Sequence, residues 1–260
     1  MNIIVCIKQV PDTTEIKIDP KTNTLIRDGV ESVINPFDLY AIEEAVRLKE
    51  KLGGRVTAIS MGPPQVEKAL RDSVAMGVDD IILLSDRKFA GADTWATSLT
   101  LAAAINKIES YDLIIFGQQA IDGDTAQVGP EVAAHLDLAQ TCFVKKILEI
   151  GNKSITVERL MESGFDKIKM KLPAAITVVK DINIPRLPSL RGKRNAKKAN
   201  LQIWTADDLD LKENDIGLNG SPTQVVKIFS PKITKNGEKY ELPPEKLAEI
   251  LFNKLKELGK

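Results

Sequence analysis

Cysteine and histidine are scarce in this chain: Cys6, Cys142 and His135 are the only ones among 260 residues. Zinc and iron–sulfur centres take three or four ligands of these types, so the chain alone cannot build one. Cys6 sits in an apolar run and reads as a core thiol. An excess of either charge is also missing: 36 basic side chains face 36 acidic ones. That balance argues against bulk nucleic-acid binding, leaving only local patches to consider. No apolar run approaches the roughly 20 residues a bilayer demands. No secretory leader is evident, since Met1-Asn2 leads straight into an apolar run. Repeats, low-complexity tracts, a Ser/His/Asp or Cys/His arrangement, a Walker-type loop and a strand–GxGxxG–helix fingerprint are all lacking. These absences describe a soluble, reduced, cytoplasmic protein without acid–base machinery of its own. Chemistry carried by a cofactor fits that description.

What is present is alternation. Ile3-Ile4-Val5-Cys6-Ile7, Val56–Ser60, Ile81–Leu84 and Leu113–Phe116 are short apolar runs suited to buried parallel strands. Between them lie helical patterns with stop and start signals. Asn35-Pro36 provides a cap and a first-position proline, and Gly53-Gly54 closes that helix. Pro63-Pro64 opens a second, with Val66, Ala69, Leu70 and Val74 inward and Gly77 after it. Asp93 caps a third, carrying Trp95, Leu99, Ala102 and Ala103. Residues 16–27 alternate around Asp19-Pro20 and read as a hairpin. Cys142–Glu149, Ser154–Met161 and Ala174–Val179 add further strands. The pattern predicts an α/β fold: a doubly wound, mostly parallel, Rossmann-like sheet with helices on both faces.

Near residue 185 the composition changes. Between Arg186 and Lys198 there are six basic residues and no acidic one, interrupted by Leu187 and Leu190 and stiffened by Pro185 and Pro188. Glu245–Leu258 is an amphipathic helix with Leu247, Ile250, Leu251, Leu255 and Leu258 on one side. The reading is a nucleotide-binding domain over 1–185 and, over 186–260, a docking loop with an arm that packs on another chain.

Ligands of open α/β sheets bind beyond the carboxyl ends of the strands, near the switch in strand order. Four loops qualify: Lys8–Pro11 with Asn35–Asp38, Met61–Pro64, Phe89–Asp93, and residues 117–129. For the first three, ordinary turn chemistry explains the residues equally well. The fourth joins an apolar strand to a helix through small and polar residues, which makes an anion site of free N–H groups and helix dipole. Gly123 and Gly129 would let a ligand approach the backbone. The helix starts either at Pro130 or, with an irregular first turn, at Thr125. Asp122 and Asp124 repel phosphate and are read as helix caps or as acceptors of ribose hydroxyls. His135 reads as a surface or packing residue.

Several of these segments carry a resemblance. Val5-Cys6-Ile7-Lys8-Gln9-Val10-Pro11-Asp12, Asn35-Pro36-Phe37-Asp38, Gly117-Gln118-Gln119-Ala120-Ile121-Asp122, the segment Val157–Thr177, and Ile216–Thr223 together resemble the small (β) subunit of electron-transfer flavoproteins, over nearly the whole chain. Ser163-Gly164-Phe165-Asp166 departs from the family pattern, while its flanks match. The resemblance implies a heterodimer with an α subunit that carries FAD. In plain members the β subunit holds a structural AMP; in electron-bifurcating members it holds a second FAD. Gly123–Gly129 is similar to the anaerobic bacterial, bifurcating kind, which implies FAD here. The nucleotide-lining residues implied are Cys6, Asn35, Pro36, Phe37, Asp38, Met61, Gly117, Gln118, Gln119, Ala120, Ile121, Asp122, Gly123, Asp124, Thr125, Ala126, Gln127 and Val128. Leu190, with Arg191 beside it, falls where the family docks on an acyl-CoA dehydrogenase or reductase. The implied reaction takes a hydride from NADH and sends one electron to the α-subunit flavin and the dehydrogenase, the other to ferredoxin or flavodoxin. The alternatives are a non-bifurcating subunit with AMP and, from another class, a nucleotide-binding regulatory module of universal-stress type.

Overall fold

The computed structural model describes residues 1–12, 32–226 and 237–259. The hairpin read over 16–27 lies outside them. In chain order the elements are β1 (Asn2–Cys6), β2 (Gln9–Pro11), β3 (Ser32–Ile34), α1 (Pro36–Leu52), β4 (Arg55–Met61), α2 (Glu67–Met76), β5 (Asp80–Leu84), α3 (Thr94–Asn106), β6 (Leu113–Gly117), α4 (Val128–His135), β7 (Ala139–Ile150), β8 (Ser154–Met161), β9 (Gly164–Lys171), β10 (Ala174–Val178), α5 (Leu190–Lys198), β11 (Leu201–Trp204) and α6 (Pro244–Leu258). Short 3₁₀ turns connect several of them.

Among the described residues, eleven strands form a nine-stranded sheet of order β11-β5-β4-β1-β6-β10-β7-β8-β9 and a separate β2-β3 pair. From β11 to β7 the pairing is parallel; β7-β8-β9 is an antiparallel extension. The apolar runs occupy the middle, where both sheet faces are covered: Ile3, Ile4, Val5, Ile59 and Leu113–Ile115 are inaccessible to solvent or nearly so. Alternate side chains serve two cores. Ile3 and Val5 join α1, α2 and Ala196 of α5 on one face. Ile4, Cys6 and Phe116 join α3 and α4 on the other. The doubly wound, mostly parallel architecture expected from the alternation is present.

Local signals explain most boundaries. Pro36 opens α1, and Gly53 at φ 74° ends it. Asp93 caps α3, its carboxylate accepting from the Ala96 N–H at 3.1 Å. Two elements went unread in the basic stretch. Residues 190–198 are helical: the Ser189 hydroxyl accepts from the Gly192 N–H at 2.9 Å, and Arg71 of α2 donates to the Ala196 carbonyl at 2.6 Å and to that of Ala199 at 3.2 Å. The chain then adds β11 beside β5. The molecule comprises two compact units, Met1–Val226 and Lys227–Lys260, with α6 in the second. No helix among the described residues is long and apolar enough to cross a membrane.

Candidate functional site at the sheet switch point

The chain runs outward from β1 to β4 and β5, then returns to place β6 on the other flank of β1. The crevice of such a sheet opens over the carboxyl ends of β1 and β6. Cys6, Met61 and Gly117 end β1, β4 and β6, so the structure brings three of the four loops together there. Cys6 is buried and shares its core with Phe116, Met61 and Val128, an apolar floor beneath the loop. Its thiol is pushed up by burial and, secondarily, by the charge of Asp38, which keeps it protonated.

The first turn of α1 organises the site. Asn35 stands at the N-cap position but makes no side-chain cap. Its amide reaches across instead: Nδ2 donates to the Gln119 carbonyl at 2.8 Å, and Oδ1 accepts from the Ile121 N–H at 3.2 Å. Asp38 is buried; its Oδ2 accepts from the Lys8 N–H at 2.7 Å, and the Gly117 N–H and the Asn35 side chain also donate to its carboxylate. Gly117 must be glycine for packing reasons. A Cβ there would lie 2.7 Å from the Phe37 carbonyl carbon and 2.8 Å from the Asp38 nitrogen, and closer still to Asp38 Oδ1.

Beyond Gly117 the loop is open to solvent. Gln118 donates to the Gln119 side chain at 2.9 Å, and Gln119 in turn donates to the Asp124 carboxylate. The Asp124 N–H donates to the Ala120 carbonyl at 2.9 Å. Asp122 pairs with Lys8 at 2.7 Å. Neither carboxylate caps α4, contrary to one of the two expectations: α4 starts at Val128 after Gln127, with no side-chain cap. Pro130 falls inside the first turn, where a missing N–H costs no helical bond. Asp124 and Ala126 hold left-handed conformations at φ 55° and 54°. Left-handed residues interleaved in a loop turn successive N–H groups toward one side, the form of an anion-binding nest. Gly123 has nothing within 4 Å of a notional Cβ, so its surface is clear for a ligand. Gly129 is different. A Cβ there would lie 2.9 Å from Thr177 Cγ2 and 3.3 Å from the Phe116 ring, so this glycine seats α4 on the sheet and is not an approach for a ligand.

These residues fit a nucleotide diphosphate. The α4 N-terminus is uncapped, two left-handed residues precede it, and the two carboxylates that would repel phosphate are engaged with Lys8 and Gln119. Pro36 is exposed and Phe37 half-buried beside Gly117, while Ile121, Thr125 and Gln127 face solvent along the loop. Among the described residues no cluster of His, Cys, Asp or Glu suits a metal. His135 is half-buried, its ring meeting Trp95 edge-on at 4.7 Å, and its role is packing between α4 and α3.

Leu190 and Arg191 lie elsewhere, at the exposed start of α5, which packs on α2. Ile184, Leu187 and Leu190 are each about 90 % exposed, at 90 %, 90 % and 87 %. No local sequence signal marks what holds them out. Arg186 donates to Glu43 at 2.7 Å and to Glu50 at 2.6 Å, and Asn183 donates to the Tyr40 carbonyl and to Glu44, both at 3.0 Å, so the segment is fastened along α1. A second fastening is at Asp93, which accepts from the Thr223 N–H and hydroxyl at 2.9 and 2.7 Å while its own N–H donates to Ser221.

Comparison with known proteins gives the family. The electron transfer flavoprotein domain family matches residues 22–209. An electron transfer flavoprotein subunit beta from Thermoanaerobacterium thermosaccharolyticum is 54% identical over 239 residues, covering 92% of this chain and 91% of the relative. Its counterpart in Clostridium acetobutylicum is 47% identical over 257 residues, with 99% and 98% covered. The caffeyl-CoA reductase-Etf complex subunit CarD of Acetobacterium woodii is 48% identical over 259 residues, again with 99% and 98% covered. With a family match over residues 22–209 and relatives of this kind along nearly its whole length, the chain belongs to the electron transfer flavoprotein family, as a β subunit.

Proposed function

We propose that this β subunit holds FAD in the crevice over β1 and β6, takes electrons from NADH, and passes them to the flavin of an α subunit for an acyl-CoA dehydrogenase or reductase, and to ferredoxin or flavodoxin. The observation that carries the reading is the loop from Gly117 to Val128: an open, solvent-facing turn with left-handed residues at Asp124 and Ala126, running into an uncapped helix start. Bound FAD would supply what the side chains lack, acceptance of a hydride and release of single electrons. The chain's own part is to bind and to hold. The loop amides grip the diphosphate, Asn35 fixes the loop at Gln119 and Ile121, and Cys6, Met61 and Phe116 present an apolar surface. Support for a reductase partner comes from the A. woodii relative, whose name places it in a caffeyl-CoA reductase complex.

In the same reading, residues 186–260 serve partners, and the protein works in the cytoplasm. Leu190 inserts into the dehydrogenase, and Arg191 with the other cations of α5 steers the encounter. Helix α6, with Leu251, Phe252, Leu255 and Leu258 exposed, provides the arm for the α subunit. The test is the nucleotide content of the purified αβ heterodimer after denaturation. Two FAD per dimer is the expected result; one FAD with one AMP refutes the flavin assignment and leaves a structural nucleotide in the crevice.

A further inference from the structure

The carboxyl group of Asp38 is sealed from solvent at 5 % exposure, and protein donors occupy it: the Lys8 N–H, the Gly117 N–H and the Asn35 side chain. Lys8 follows the end of β1, and Gly117 ends β6. The two segments flank the crevice, and they are joined through this one side chain on the first turn of α1. Helix amides at that position favour its negative charge, while burial disfavours it more strongly. Asn35, three residues earlier, holds the next part of the loop at Gln119 and Ile121. The pair therefore fixes the strand ends and the loop as one body.

Resting on the nucleotide reading above, we propose that Asp38 is a positioning residue: its ionised carboxylate staples the ends of β1 and β6 at the separation the 117–128 loop needs, so that nucleotide affinity is linked to a proton. A carboxylate accepts at both oxygens; a carboxylic acid presents an O–H to one of its former donors. Protonation thus leaves one buried amide without an acceptor, and the crevice loosens there. The titration falls in a useful range, because burial pushes Asp38 up to about 7, partly offset by the hydrogen bonds of Lys8, Asn35 and Gly117 and by the Lys8 charge. The other ionisable groups around it are Cys6, held up by burial, Lys8, paired with Asp122, and Asp124, bound to Gln119. A ligand phosphate has the opposite tendency, since it repels the carboxylate and favours the acid. The sign of the pH effect separates the two.

The experiment uses the full chain in its heterodimer with the α subunit, stripped of nucleotide and titrated separately with FAD and with AMP from about pH 5.5 to about pH 8.5. The expected result is binding about tenfold weaker at the acid end, the loss of one buried acceptor. Asp38→Asn should bind weakly at every pH, because its NH2 faces one of the amides. Amide exchange at Lys8 and Gly117 should quicken on acidification in the natural protein beyond the intrinsic pH trend and stay level in the variant. Affinity that is flat, or that rises toward acid, overturns the staple, as does a variant that keeps the natural pH step. If FAD fails to bind while AMP binds with the acid-weakened profile, the flavin reading falls and the staple stands; binding of neither overturns both. Should Asp38→Asn not fold, the pH profile and amide exchange of the natural protein decide.

Discussion

Adding a single methyl group at Gly117 tests the whole geometry of the switch point. The Cβ of Gly117→Ala would sit 2.7 Å from the Phe37 carbonyl carbon and 2.8 Å from the Asp38 nitrogen, with Asp38 Oδ1 nearer still. Ordinary carbon contacts begin near 3.5 Å, so α1 and β6 must separate by the better part of an ångström. Two of the obstructing atoms are backbone in the first turn of α1, which a rotamer change cannot move. Overpacking of this kind costs about 1–3 kcal/mol. In a domain of this size each kcal/mol lowers Tm by about 2–4 °C, so the variant should melt about 2–12 °C below the natural protein. The separation also breaks the Asp38 bridge and displaces Gln119, so nucleotide content should fall with stability. The control is Gly123→Val, at a position where a Cβ meets nothing within 4 Å. A substitution in open space changes stability by about 0.5 kcal/mol or less. It should nonetheless empty the crevice, because its isopropyl group lies where the diphosphate approaches. Thermal melting and nucleotide content, measured on both variants, give a crossed pattern: one loses both properties, the other only the second. A Gly117→Ala protein as stable as its parent would refute the packing argument, and full nucleotide occupancy in Gly123→Val would refute the loop assignment.

Other perturbations follow from the same contacts. Leu190→Ala should slow electron transfer to the dehydrogenase while NADH still bleaches the flavin, and unchanged transfer kinetics would count against docking through this residue. Arg186→Ala removes the partner of Glu43, whose side chain is only 7% exposed, and should cost about 1–3 kcal/mol in chemical denaturation, with Glu50 contributing little from its exposed position; a loss within error would show that the clamp is dispensable. Between the usual Asp value near 4 and about 7, folded Asp38 retains a proton that the unfolded chain has released. Its contribution to stability is therefore largest at acid pH and declines as pH rises through that window, and denaturation midpoints of Asp38→Asn should lack this component.

The central strands and first three helices were legible because local signals and tertiary demands coincide in them. Apolar runs such as Leu113–Phe116 have only a two-sided core to occupy, and Pro36, Gly53, Asp93 and Gly77 sit where caps belong. The α5 helix was hidden because its five cations without an anion resemble a solvated loop. Its support is distant in sequence: the closeness of Gly192 to the Ala75 backbone and the bonds from Arg71. Asn35 was readable as a helix start but not as the clamp of a loop 84 residues away. Gly123 and Gly129 show the limit most clearly. The same residue type, six positions apart, faces open space in one case and the Phe116 ring in the other, and no local pattern distinguishes them.

Helix α1 ties these observations together. Its first turn holds the loop after β6 through Asn35 and Asp38; Tyr40, Glu43, Glu44 and Glu50 farther along hold the segment that projects Ile184, Leu187 and Leu190. A 17-residue helix spans about 26 Å at 1.5 Å per residue, and α1 is anchored on one side by a buried apolar face including Ala41, Ile42, Ala45 and Val46. The loop after β6 and the exposed apolar segment are thus mounted on one rigid element. Polar side chains buried along a helix are expensive unless each finds a partner. Here the acceptors on one rod fasten two separate stretches of chain, which accounts for the positions of Asp38, Glu43 and Glu44 on a face where apolar residues would otherwise be expected. Electron transfer depends on fixed separations between centres, and a subunit of this family can govern that reaction by holding those separations constant.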